Sequence, residues 1–197
     1  CSRFVVVVSV SVAVHCKKGC DTTIGSLLTV RDEINLVVLE QAINTISNAL
    51  HFAVYCFGAS GSVAADAQHK FFRLQLSTAA YTDPHIQHMS AISLSTKDVV
   101  VAISQSGETQ ALLQSVNLAR EAGATVIGVT PQNTSISHKC SIPIYVNMEE
   151  DLQSFTPVSS RKAHLVVIDC LFTTFDADDQ QLGVTSGGRL HLQKKQK

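Results

Sequence analysis

Two short loops in this sequence combine glycine with hydroxyl side chains, a composition suited to binding an anion. The first is Gly58-Ala-Ser-Gly-Ser62 and the second is Ser104-Gln-Ser-Gly-Glu-Thr109, and each stands between an apolar run and a helical pattern. The first turn of a helix carries unpaired N–H groups and a partial positive charge. Glycine lets the backbone approach a ligand, and hydroxyls can donate to phosphate oxygens. The loops therefore predict a small phosphorylated ligand, although such residues also serve as ordinary helix caps.

The elements around these loops alternate between apolar runs and helical spacing, which indicates a parallel sheet. Five strands are predicted, at His51–Phe57, Thr78–Tyr81, Asp98–Ile103, Thr125–Thr130 and Ile142–Val146. Helices are predicted between them, over 63–73, around 86–92 and over 108–122, with one or two leading in after residue 20 and the last over 163–172. The fold class is therefore α/β, with a five-stranded parallel sheet flanked by helices on both faces. Ligands of such sheets bind beyond the carboxyl ends of the strands, which is where both loops stand.

The chain divides by pattern into three segments. Residues 1–23 are unassigned, residues 24–176 form the predicted domain, and the polar stretch 177–197 loses periodicity and is predicted to be a loose tail. Because the sequence begins at Cys1 without an initiator methionine, we expect it to be part of a longer protein.

Composition excludes several classes of protein. The 197 residues are 45% hydrophobic, enough for one core, and the formal net charge of −1 gives no basic field to attract nucleic acid. The apolar run Phe4–Val14 has eleven residues, fewer than the roughly 20 that span a bilayer, so no membrane anchor is predicted. The six cysteines show no disulfide framework, which favours reduced thiols and a cytoplasmic protein. Cys16 and Cys20 could form half of a zinc site, but no second pair follows. No cofactor is predicted.

Longer motifs resemble a known family. The segments SQSGET and REAGATVIGVT resemble the sugar isomerase (SIS) domain, a phosphosugar-binding module. The stretches FGASGSVAADAQHKFFRL, AYTDPHIQHMS and SSRKAHLVVIDCLF are similar to the effector domain of RpiR-type and HexR-type transcriptional regulators. The resemblance spans about residues 24 to 175. It implies a flavodoxin-like three-layer sandwich that senses a phosphorylated sugar or sugar acid, such as 2-keto-3-deoxy-6-phosphogluconate, and pairs as a homodimer or tetramer.

The family pattern also implies the site residues. Matched to this sequence, the phosphosugar-binding residues are Ser60, Ser104, Gln105, Ser106, Thr109, Ser160 and Arg161. Arg161 could pair a ligand carboxylate through two hydrogen bonds or form a salt bridge to a neighbouring subunit. No catalytic or metal-binding residues are assigned. Family members contact DNA through a helix-turn-helix domain that this chain does not show.

Two departures from the family pattern leave alternatives open. Glu108 stands where many of the regulators have arginine and where sugar isomerases have glutamate, and it adds negative charge near a phosphate. An aldose-ketose isomerase, the runner-up function, needs a base, for which Glu149, Glu150, Asp151 and His88 are candidates. The other departure is the loop Asn133–Ser137, which replaces the usual turn of the family. Asp83, His85 and His88 could form a metal group, but a polar start to a helix explains them better because a full ligand set is not evident. A bare oligomerisation module is the third possibility.

Overall fold

The protein is a sheet enclosed by two helical layers. The computed structural model describes the backbone of residues 2–148 and 159–181 and the side chains of residues 11–148 and 159–177. The strands are β1 (His51–Tyr55), β2 (Ser77–Tyr81), β3 (Val99–Ile103), β4 (Thr125–Thr130) and β5 (Ile142–Tyr145). The helices are α1 (Ser2–Glu33), α2 (Leu36–Ser47), α3 (Gly61–Arg73), α4 (Pro84–Ile92), α5 (Gln110–Glu121) and α6 (Ser159–Gln181).

The five strands form one sheet in the order β2-β1-β3-β4-β5, and every neighbouring pair is parallel. The central strand β3 is buried along its whole length because it is covered on both faces. Its alternate side chains enter different cores: Val99, Val101 and Ile103 pack with α2, α3 and α6, whereas Val100 and Ala102 pack with α4 and α5. The predicted α/β fold class is confirmed.

Two helices extend beyond their predicted bounds. α1 begins at Ser2 and runs without interruption through position 24, although its side chains from 11 to 22 are exposed. α6 continues past Asp176 to Gln181, because Phe172 and Phe175 continue its apolar stripe and pack edge-on against Phe71 of α3. The three-segment division remains a prediction, and most of the predicted tail lies outside the described residues. In the described part of the chain, no helix combines the length and apolar character needed to cross a membrane.

Candidate ligand-binding site

The two glycine and hydroxyl loops lie side by side at the carboxyl edge of the sheet. They follow β1 and β3, which are hydrogen-bonded neighbours. From β1 the chain passes through α3 to β2 on one side, and from β3 it passes through α5 to β4 on the other. The helices after the two loops thus leave toward opposite faces of the sheet. This divergence opens the crevice in which sheets of this class bind ligands.

The second loop is folded by its own serines. The Ser104 Oγ accepts a hydrogen bond from the Gly107 N–H at 3.0 Å, and the Ser106 Oγ accepts one from the Glu108 N–H at 3.2 Å. A hydroxyl that accepts a backbone hydrogen bond still has its proton to donate. Ser104 is buried and Ser106 is exposed. Both serines therefore shape the loop and retain a donor for an anion.

Gly107 of this loop is packed closely against a neighbouring segment. Its φ of +65° lies in the left-handed region, which residues with a side chain rarely adopt. A Cβ at this position would stand 2.2 Å from the Thr134 Oγ1, and the Ile136 N–H donates to the Gly107 carbonyl at 3.0 Å. The segment after β4 is therefore packed directly against the loop and holds its shape.

Both helices that follow the loops begin without a side-chain cap. Ser60 precedes α3 and Thr109 precedes α5, and neither hydroxyl bonds to the N–H groups of the first turn. Thr109 has the extended backbone of a helix cap, yet its side chain does not act as one. The two hydroxyls are thus not consumed by capping, although the Gly61 N–H at the start of α3 donates to the Gly58 carbonyl of the turn before it.

Gln105 links the second loop to the end of β5. Its Nε2 donates to the Met148 carbonyl at 3.0 Å. Its Oε1 is buried and has no hydrogen-bond partner among the described residues. An unpaired buried acceptor is costly, so this oxygen is available for a ligand donor.

The Glu108 carboxylate is held by the segment after β4. Its Oε1 accepts from the Ser135 N–H at 2.8 Å and its Oε2 accepts from the Ser135 hydroxyl at 2.5 Å. These hydrogen bonds hold the pKa of Glu108 below its ordinary value, even though the side chain is exposed. The departure at position 108 therefore braces two segments, and the altered turn Asn133–Ser137 supplies its partner.

The last two site residues predicted from the resemblance lie in the first turn of α6. Ser160 is buried and Arg161 is half-buried. α6 packs against α1, α2 and α3, on the face of the sheet that carries the first loop's helix. Within the described residues, no hydrogen bond joins Arg161 to either loop. The structure thus brings the loop residues together, and the ligand-binding roles of all seven residues remain predictions.

The alternative catalytic and metal-binding residues are only partly described. Glu149, Glu150 and Asp151 lie outside the described residues. His88 is half-buried on α4, and its Nε2 has no hydrogen-bond partner within the described part of the chain. Residues 11–148 and 159–177 contain no group of three or more potential metal ligands.

Sequence reasoning missed one polar residue that positions the site. Gln87 is fully buried on α4, and its Nε2 donates to the carbonyls of Cys56 and Tyr81 at 3.0 and 2.8 Å. Its Oε1 accepts from the Ser115 hydroxyl of α5 at 3.0 Å. Gln87 thereby fixes the ends of β1 and β2 beside the first loop. Its position within an amphipathic helix pattern gave no signal of this role.

Comparison with curated proteins finds relatives that are longer than this chain. The bifunctional protein glk of Burkholderia thailandensis is 38% identical over 154 residues, which cover 78% of this chain and 24% of that protein. The HTH-type transcriptional regulator HexR of Pseudomonas aeruginosa is 35% identical over 159 residues, which cover 81% of this chain and 56% of the regulator. The chain thus spans about a quarter of one relative and just over half of the other.

Solved structures share the fold at low sequence identity. The Vibrio vulnificus NanR protein complexed with ManNAc-6P superposes with a TM-score of 0.81 at 19% identity, covering 90% of this chain and 67% of that one. Structures of the same fold also include a phosphoheptose isomerase. The SIS domain family model matches residues 45–174, which include β1 to β5 and both loops. The chain therefore belongs to the SIS domain family, and its relatives include HexR-type transcriptional regulators.

Proposed function

We propose that this chain is the ligand-sensing domain of a regulator of carbohydrate metabolism and that it binds a phosphorylated sugar or sugar acid without converting it. The observation that carries the proposal is the pair of uncapped helix starts, at Ser60 and Thr109, on adjoining strands. Two helix N-termini with free hydroxyls form a donor-rich pocket suited to a phosphate. Ser104 and Ser106 complete the phosphate contacts, and Gln105, Ser160 and Arg161 contact the rest of the ligand.

The proposed ligand follows from the relatives. The HexR resemblance favours 2-keto-3-deoxy-6-phosphogluconate, in which a phosphate and a carboxylate stand at opposite ends. The loops would hold the phosphate, and Arg161 would pair with the carboxylate through its planar guanidinium. A DNA-binding partner domain and assembly as a homodimer or tetramer belong to the same proposal, because a sensor acts by favouring one arrangement of a larger assembly.

A phosphosugar isomerase is the second candidate, since an isomerase shares the fold. Isomerisation needs a base beside the reacting carbons. In the described part of the second loop, the one carboxylate is Glu108, and it is engaged by Ser135. This engagement favours the sensor over the isomerase.

The test is a calorimetric titration of the chain with 2-keto-3-deoxy-6-phosphogluconate, glucose 6-phosphate and fructose 6-phosphate, with each mixture assayed for turnover. We expect saturable binding of at least one compound and no product. Conversion of a sugar phosphate would replace the sensor with an isomerase, and absence of binding to all three would overturn the proposal.

A further inference from the structure

A cavity lies at the carboxyl edge of the sheet, next to the segment that Gln105 of the second loop contacts. It has a volume of about 560 Å³, within the usual size of a small-molecule site. One wall is the last two turns of α1, and the other is formed where β4 and β5 end. The lining residues are Ser26, Thr29, Glu33, Pro131, Asn147 and Met148.

This cavity is connected to the second loop by hydrogen bonds. The Met148 carbonyl that lines it accepts from the Gln105 Nε2 at 3.0 Å. The Asn147 Oδ1 accepts from the Gln132 N–H at 3.0 Å, in the same segment that braces Glu108. The cavity therefore lies next to the position that a ligand held by the loops would occupy.

The α1 wall offers hydrogen-bond acceptors and almost no donors. The Ser26 hydroxyl donates to the Thr22 carbonyl at 2.9 Å, and the Thr29 hydroxyl donates to the Gly25 carbonyl at 3.1 Å. Both protons are thus used within the helix, while the lone pairs of the oxygens remain. Glu33 adds a carboxylate that forms no ion pair with the described residues. The carboxyl end of α1 adds partial negative charge.

The crevice is therefore polarised along its length. The loops supply donors and positive helix starts, whereas the α1 wall supplies acceptors and negative charge. A phosphate belongs at the first end, and groups that donate hydrogen bonds belong at the second. The carboxylate of a sugar acid would be repelled by Glu33, so within this scheme it turns toward Arg161.

We propose, on the basis of the function proposed above, that the cavity between α1 and the ends of β4 and β5 receives the hydroxyl-bearing carbons of the ligand. Glu33 and Thr29 accept hydrogen bonds from these hydroxyls and determine specificity. Phosphate binding itself does not depend on them. The α1 helix thus contacts the ligand directly.

The test compares glucose 6-phosphate with inorganic phosphate in calorimetric titrations of the full chain. Glu33→Gln and Thr29→Val should each weaken the binding of glucose 6-phosphate by about fivefold, the scale of one hydrogen bond. They should leave the affinity for inorganic phosphate unchanged. Asp32→Asn and Thr22→Val are matched controls on the same helix, since neither residue lines the cavity, and they should change neither affinity.

The outcomes separate this proposal from the function on which it rests. If both variants bind glucose 6-phosphate as the wild type does, or lose affinity for both compounds equally, the α1 subsite is wrong while phosphate sensing stands. If the wild type binds inorganic phosphate but not glucose 6-phosphate, the α1 subsite is overturned. If it binds neither inorganic phosphate nor any of the three sugar phosphates named above, both proposals are overturned.

Discussion

Helices α2 to α5 start in two different ways. α2 and α4 are sealed by their own side chains: Asn35 Oδ1 accepts from Val37 and Val38 N–H groups, and Asp83 Oδ1 accepts from the Ile86 N–H. α3 and α5 begin with Ser60 and Thr109, which provide no such bond. The sealed starts serve folding. Under the proposed function, the open starts lie beside the crevice and leave their hydroxyls for a ligand.

The largest expected effect comes from the loop that keeps one open start in shape. Gly107→Ala should lower the free energy of unfolding by about 2 to 5 kcal/mol, because it combines left-handed strain with a clash against Thr134. Gly58→Ala is the matched control, since Gly58 also has positive φ but no atom within 4 Å of its added Cβ, and it should cost about 1 to 2 kcal/mol. Urea unfolding measures both, and equal losses would contradict the bracing role of Thr134.

The next prediction compares the two kinds of helix start directly. Asn35→Ala and Asp83→Ala should each lower the free energy of unfolding by about 1 kcal/mol, because each removes a helix cap. Ser60→Ala and Thr109→Ala should change it by less than about 0.5 kcal/mol, since neither hydroxyl caps a helix. In ligand affinity we expect the reverse: Ser60→Ala and Thr109→Ala should weaken binding, whereas Asn35→Ala and Asp83→Ala should leave it nearly unchanged. A stability loss at Ser60 or Thr109 equal to that at Asn35 would remove the distinction.

A third prediction concerns Asp98, a carboxylate sealed at the opposite edge of the sheet. Burial alone would raise the pKa of Asp98, but hydrogen bonds from Ser95 and the His51 ring outweigh it and hold that pKa below its ordinary value. A lowered pKa in the folded state means that this stabilisation is present above about pH 4 and is lost as the pH falls through the folded-state pKa. Acid unfolding of Asp98→Asn should lack this part of the pH dependence. An unchanged profile would show that the carboxylate carries no net stabilisation.

The smallest effect is expected at Glu108, a carboxylate of the second loop that accepts two hydrogen bonds from Ser135. Glu108→Gln should raise phosphate affinity about two- to threefold by removing a nearby negative charge, while stability changes little at an exposed site. Because the folded-state pKa of Glu108 is lowered, the small contribution of its hydrogen bonds to stability is lost as the pH falls through that pKa. The variant should not show this loss. Titration calorimetry at neutral pH measures the affinity, and a lower affinity in the variant would assign Glu108 a direct role in binding.

Local patterns in the sequence predicted the features that depend on residues close together in the chain, such as the bounds of strands and helices. The bounds of β4 agree with the structure. The helix predicted over 108–122 ends at Glu121, just before Gly123, whose φ of +93° is left-handed. The bracing of Glu108 by Ser135 and of Cys56 by Gln87 joins residues 27 and 31 positions apart. Such contacts depend on how elements pack, so spacing along the chain gives no access to them. The helical state of residues 2–20 was missed for another reason. β-branched residues have only a weak bias against helix, and the described side chains from 11 to 20 are all exposed, so no buried stripe marks that part of the element.

The central claim is that the open loop after β3 holds the phosphate of the ligand. The most direct test titrates wild type, Ser104→Ala/Ser106→Ala and Asn35→Ala with the tightest of the three candidate sugar phosphates, after circular dichroism confirms that each variant is folded. We expect the double variant to bind about a hundredfold more weakly, because two hydrogen bonds to a charged group are lost, and Asn35→Ala to bind as the wild type does. Unchanged affinity in the folded double variant would contradict the assignment of this site.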